Sequence, residues 1–163
     1  AYMLDNLIAQ EVIEPTVAVI IDNYNLNFDE TNLINNILPF VEENYNVSAE
    51  KSGRALCGLS AGGAYTRRTM LSYPETFGYW GLFSAAGEGT DVFDAEILGN
   101  DGIFVGIGME EFMHPERAGS RFALCYTLGS QGIYFDFWTA HGGHQWTIWR
   151  DCFEAFCEMT LWK

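Results

Sequence analysis

Five short apolar runs alternate along the chain with stretches in which apolar residues recur every three or four positions. The runs are Thr16–Ile21, Ala55–Cys57, Tyr79–Phe83, Ile103–Ile107 and Ile133–Trp138. They are continuous rather than alternating, the pattern of strands covered on both faces, as parallel strands are. Between them, Leu33, Ile34, Ile37, Leu38 and Val41 fall at helical spacing, with Pro39 expected to kink or interrupt that helix. Further helices are predicted over Met3–Gln10, from Ala61 to about Leu71, and through Arg117 to Leu128. A last helix should carry Trp146, Trp149, Phe153, Phe156 and Cys157 on one stripe. Strands alternating with helices predict an α/β fold with a mainly parallel sheet of about five strands. No repeat or linker divides the 163 residues, so residues 1–163 read as a single domain. The stretch Ala85–Gly102, rich in Gly, Asp and Asn, is the most loop-like and is expected to border a cleft.

Composition narrows the function. With 48% apolar and 15% aromatic residues the chain can build a real core, which excludes a disordered segment. A net charge of −14 repels phosphate backbones and anionic lipid, so neither nucleic acid nor membrane is expected as a partner. No apolar run approaches the ~20 residues needed to cross a bilayer. Four cysteines without a CxxC pair point to free, mostly buried thiols and to no zinc site.

The chemistry concentrates at Gly58-Leu59-Ser60-Ala61-Gly62, a G-x-S-x-G word. A short strand feeds into it and a small-residue helix leaves it, the strand–turn–helix context in which such a serine stands exposed as a nucleophile. The flanking glycines are expected to remove side chains that would collide at a strained turn. Ala61 N–H, at the start of a helix, is placed to donate to an oxyanion. The serine needs a base. His144 ends Ala140-His141-Gly142-Gly143-His144, between the last strand and the last helix; His141 is the reserve, and His114 lies earlier. An acid should orient the base, and in the order Ser–acid–His it should follow the strand Ile103–Ile107, where Glu110 and Glu111 stand. Asp136, Asp91 and Asp94 fit that topology less well.

With these residues assembled, the chain resembles the esterase D-type branch of the α/β-hydrolases, which includes feruloyl, acetylxylan and enterochelin-type esterases. The resemblance rests on ordered words: Arg54–Gly63; Tyr73-Pro74-Glu75-Thr76-Phe77-Gly78-Tyr79; Phe83-Ser84; Gly106–Glu111; and Gly142-Gly143-His144-Gln145-Trp146 with Trp149-Arg150. Leu38–Tyr45 matches a further upstream word. The resemblance implies Ser60 as nucleophile, His144 as base and Glu111 as acid, a glutamate where the family usually has aspartate. It implies hydrolysis of a carboxylic ester without metal or organic cofactor, on a small ester or acylated carbohydrate such as a feruloyl or acetyl plant polysaccharide. A siderophore ester or thioester, or an inert interaction module, are the alternatives. Phe112 and Trp146 are candidates to stack on substrate. Relatives normally begin with three more strands and a His-Gly loop carrying a second oxyanion donor, whereas this sequence opens at Met3–Gln10. The run Val17–Ile21 is therefore expected to leave an exposed edge, through which a homodimer could form.

Overall fold

The computed structural model describes residues 2–22 and 29–163. Helix α1 (Tyr2–Ala9) is followed by a segment that is neither helix nor strand up to Asp22, and a helical run made of α2 (Glu30–Asn32), a π turn (Leu33–Ile37) and α3 (Leu38–Asn44) begins at Glu30. Among the described residues four strands alternate with the remaining helices: β1 (Ala55–Leu59), α4 (Ala61–Ser72), β2 (Tyr79–Phe83), α5 (Ala95–Leu98), β3 (Gly102–Gly108), α6 (Pro115–Ser130), β4 (Asp136–Ala140) and α7 (Trp146–Met159). The sheet is parallel throughout, in the order β1-β2-β3-β4.

The continuous apolar runs have a simple cause. Along β2, Trp80 and Leu82 enter one buried cluster and Tyr79 and Phe83 the other; along β3, Ile103, Val105 and Ile107 alternate in the same way with Phe104. The first cluster takes Tyr65 and Met70 of α4 with Leu124 and Leu128 of α6. The second takes α7 and α1. With helices on both faces, every position of β2 and β3 after the first is buried. In the second cluster Phe83, Phe104 and Phe156 meet edge to face at 5.8–5.9 Å, a geometry that contributes roughly 0.5–1.5 kcal/mol per pair beyond burial.

Two expectations are corrected and one is refined. Among the described residues Thr16–Ile21 joins no ladder: Ile20 is 96% exposed, and the segment faces α3 across a groove of about 530 Å³. β-branched residues favour an extended backbone, but a strand exists only when a neighbour supplies donors and acceptors, so among the described residues the sheet has four strands where about five are expected. Pro39 does accompany a break in the α-helical pattern, in the form of a π turn between α2 and α3 rather than an end to the helical run. The π turn before it bonds Leu38 N–H to Leu33 O, and this wider turn relieves the clash between a proline ring and the carbonyl four residues back. On α7 the buried face is Ile148, Cys152, Ala155, Phe156 and Cys157 rather than the tryptophan stripe, and Trp146 is 73% exposed. Two of the four free cysteines are buried; Cys125 is half-buried and Cys57 exposed.

Candidate active site

The carboxyl ends of β1, β2, β3 and β4 open on one side of the sheet, and the chain places its chemistry there. At the end of β1, Ser60 adopts φ 53° and ψ −114°, a left-handed conformation that costs a non-glycine residue on the order of 1–3 kcal/mol. The turn is held by Ser60 N–H donating to Phe83 O (2.9 Å) and by Ala64 N–H donating to Ser60 O (3.0 Å). A Cβ on Gly58 would lie 2.3 Å from Gly62 O, and one on Gly63 would lie 2.9 Å from Ala85 Cβ. One on Gly62 would meet nothing within 4 Å. The glycines the bend requires are therefore Gly58 and Gly63; Gly62 contributes only its backbone, which corrects the expectation that both glycines of the word avoid collisions. Ala61 is the first residue of α4, so its N–H has no acceptor within the helix.

His144 is presented by the β4–α7 loop. That loop is seated on β3 by Glu110 N–H donating to Gly142 O (2.9 Å), and Gly108 allows the approach, since a Cβ there would lie 2.4 Å from Gly142 O. His144 Nε2 is 2.7 Å from Ser60 Oγ, and Nδ1 is 2.9 Å from Glu111 Oε2. An ionised carboxylate only accepts, so Nδ1 carries the proton and Nε2 is left to accept from the serine hydroxyl.

Glu111 lies in a 3₁₀ turn (Met109–Met113) directly after β3 and is 0% exposed. Burial pushes its pKa up. Hydrogen bonds from Ser84 and His144, together with the Arg121 charge and its hydrogen bonds, outweigh that and hold the carboxyl below its ordinary value. Ser84 Oγ–H donates to Oε1 at 2.5 Å, and Arg121 Nε and Nη2 donate to Oε2 at 3.2 and 3.1 Å. Trp149 Nε1–H donates to Ser84 Oγ at 2.9 Å. An indole nitrogen is donor only, so the serine's single proton is directed to Glu111. The Trp149 ring also stands edge-on to His144, 4.9 Å between centroids.

The other candidates are not brought to this point. Glu110 turns outward to His141 Nδ1 (3.3 Å), and that histidine is 91% exposed. His114 is exposed at the N-cap of α6 beside Glu116. Asp136 sits at the opposite, amino end of β4, accepting from Thr160 and Tyr134. Asp94 caps α5, and Asp91 holds Arg67 at 2.5 Å, which ties the Ala85–Gly102 stretch to α4. Trp146 lines a cavity of about 480 Å³ beside the site, together with Leu59, Trp149, Arg150 and Phe153. Phe112 does not line it; its ring lies on Phe122, 4.8 Å away, against the core. Arg121 was missed in the sequence. The signal was there: Arg121, Leu124 and Leu128 form one helical stripe, and a cation on an otherwise apolar stripe marks a buried ion pair. Among the described residues no group of histidine, cysteine, aspartate or glutamate is arranged to hold a metal ion, and no helix is long and apolar enough to cross a membrane.

Residues 15–158 match the family Esterase. The chain belongs to the esterase family. Its curated relatives include an endo-1,4-beta-xylanase/feruloyl esterase of Xylanibacter ruminicola, 31% identical over 96% of this chain and 22% of the relative. The esterase chain thus spans about a fifth of that relative's length. Among solved structures it is similar to a CE1 ferulic acid esterase of Anaeromyces mucronatus (TM-score 0.73, 18% identity, 96% of this chain and 68% of that one). It is likewise similar to an enterobactin esterase of Shigella flexneri (TM-score 0.74, 18% identity, 95% and 46%). The fold is that of an α/β-hydrolase esterase.

Proposed function

We propose that this esterase-family chain carries a serine carboxylic-ester hydrolase site in which Ser60, His144 and Glu111 act as nucleophile, base and orienting acid. The reading rests on one observation: a single imidazole bridges the Ser60 hydroxyl at 2.7 Å and the Glu111 carboxylate at 2.9 Å. Ser60 Oγ attacks the ester carbonyl carbon as its proton passes to His144 Nε2. The developing oxyanion accepts from Ala61 N–H, helped by the positive end of α4. Collapse of the tetrahedral adduct breaks the carbon–oxygen bond to the alcohol, which leaves with the proton from His144. Water, deprotonated by the same nitrogen, then attacks the acyl-enzyme, releasing the acid and restoring Ser60. Glu111 stays ionised throughout and stabilises the imidazolium.

For the substrate we propose an acylated plant carbohydrate carrying feruloyl or acetyl groups. The relative named as a xylanase/feruloyl esterase and the ferulic acid esterase fold support it, as does the aromatic cavity wall of Phe83, Trp146, Trp149 and Phe153. The test incubates the purified chain with a fluorophosphonate probe and with p-nitrophenyl acetate, then with methyl ferulate and acetylated xylan, beside Ser60→Ala. Labelling and turnover in wild type alone are expected. A folded wild type that stays unlabelled overturns the hydrolase reading and leaves an inert esterase-like module.

A further inference from the structure

Two buried cationic contacts and one imidazole converge on the same atom. Glu111 Oε2 accepts from His144 Nδ1 (2.9 Å), Arg121 Nη2 (3.1 Å) and Arg121 Nε (3.2 Å). Arg121 is 5% exposed and Glu111 0%. Besides Glu111, the guanidinium has a contact to Ser120 Oγ at 3.5 Å. The charge of the acid is thus balanced before His144 takes up a proton.

We propose that Arg121 is a positioning residue whose fixed charge lowers the proton affinity of the Glu111–His144 pair and so favours the form in which His144 accepts from Ser60. The inference rests on the proposed roles of Ser60, His144 and Glu111. With Arg121 present, protonating the imidazole takes the three-group cluster from neutral to +1 in a site largely closed to water. Without it, the same proton takes the cluster from −1 to neutral. Whichever of Glu111 and His144 binds that proton, removing the fixed cation makes binding tighter, because the two sites titrate as a pair. The same charge makes the imidazolium a stronger acid toward a departing alkoxide.

The other groups facing the pair do not supply this charge. Cys152 of α7 faces Glu111, but its thiol, pushed up to about 12 by burial first and by the Glu111 charge second, stays neutral. Glu110 is turned to His141 and solvent. Ser84 and Trp149 are uncharged donors. Arg150 is exposed and lies 3.8 Å from Asp151. The fork geometry has a second effect. Glutamate is one methylene longer than aspartate, and two parallel donors on one oxygen with Ser84 on the other fix where the longer side chain ends.

The test compares wild type, Arg121→Gln, Arg121→Met and Arg121→Lys as full chains. It reads the pH profile of kcat/KM on p-nitrophenyl acetate and, independently of turnover, the NMR titration of the His144 ring. The neutral variants should move the acidic limb and the imidazole titration up by about one pH unit, a tenfold gain in proton affinity. Arg121→Lys should keep both near wild type while losing kcat. An unmoved titration in a folded neutral variant, or the same shift in Arg121→Lys, overturns the proposal. If the neutral variants do not fold, Glu111→Gln is compared with Glu111→Gln/Arg121→Gln. The ring then titrates about one unit higher in the double variant if Arg121 acts on it, and at the same pH if it does not. A chain that takes no fluorophosphonate, yet shows the shifted titration, refutes the hydrolase reading and leaves the charge balance standing.

Discussion

Gly58 and Gly62 pass so closely at the serine bend that a methyl group on Gly58 would lie 2.3 Å from the Gly62 carbonyl oxygen. The converse does not hold, because the space outside Gly62 is open. The two glycines of one five-residue word therefore answer to different constraints. Gly58→Ala must push backbone against backbone and is expected to cost several kcal/mol, on the order of overpacking a core. Gly62→Ala sits in the first turn of a helix and should gain up to ~1 kcal/mol through helix propensity. Thermal melts of the two variants check this, and equal losses in both would show that the bend is held some other way.

Ser60→Ala and His144→Ala should each lower kcat by ~10⁴-fold or more, since members of such a unit fail together. Melting temperatures should stay close to wild type. His144 is half-buried in a loop, and without its ring Glu111 Oε2 still accepts from Arg121 Nε and Nη2. Probe labelling and p-nitrophenyl acetate turnover, read beside the melt, separate loss of chemistry from loss of fold.

Ser84 should matter more than its size suggests. Ser84→Ala removes a donor from a fully buried carboxylate and leaves the Trp149 indole N–H without its acceptor. An unsatisfied buried polar group costs roughly 1–3 kcal/mol. Trp149→Phe keeps the serine's bond to Glu111 and should perturb the acid less. The expected order of loss in stability is Ser84→Ala above Trp149→Phe, measured by denaturant midpoint; the reverse order would mean that ring packing on His144 outweighs the hydrogen bond.

The depressed pKa of Glu111 links acid to stability. A carboxyl whose pKa is lower folded than unfolded stabilises fully above its unfolded value of about 4.5, and the contribution is lost as pH falls through the folded value. Wild type should exceed Glu111→Gln in melting temperature most strongly above pH 4.5, with the gap narrowing below it. A gap that does not change with pH would show that Glu111 stabilises by shape rather than by charge.

Much of this arrangement can be read along the chain. The runs at Tyr79–Phe83 and Ile103–Ile107 became β2 and β3 with little change of bounds because local β propensity and two-sided burial ask for the same residues. The serine bend, the loop histidine and the two glutamates after β3 are equally visible, because a strand-to-helix turn and a glycine-rich loop are local events.

What folding alone decided is everything that depends on a partner far away in sequence. Whether Thr16–Ile21 pairs is set by a neighbour's backbone, not by its own valines and isoleucines. Glu111 rather than Glu110 points inward because the 3₁₀ turn after β3 rotates each side chain by about 120° from the one before, which aims one glutamate toward Ser84 and Arg121 and leaves the other toward solvent. Arg121, ten residues beyond Glu111, shares one of its oxygen atoms with a histidine thirty-three residues beyond Glu111. Periodicity locates such a residue on a buried stripe, but only the closing of α6, β3 and the β4–α7 loop around one carboxylate gives the charge its partner.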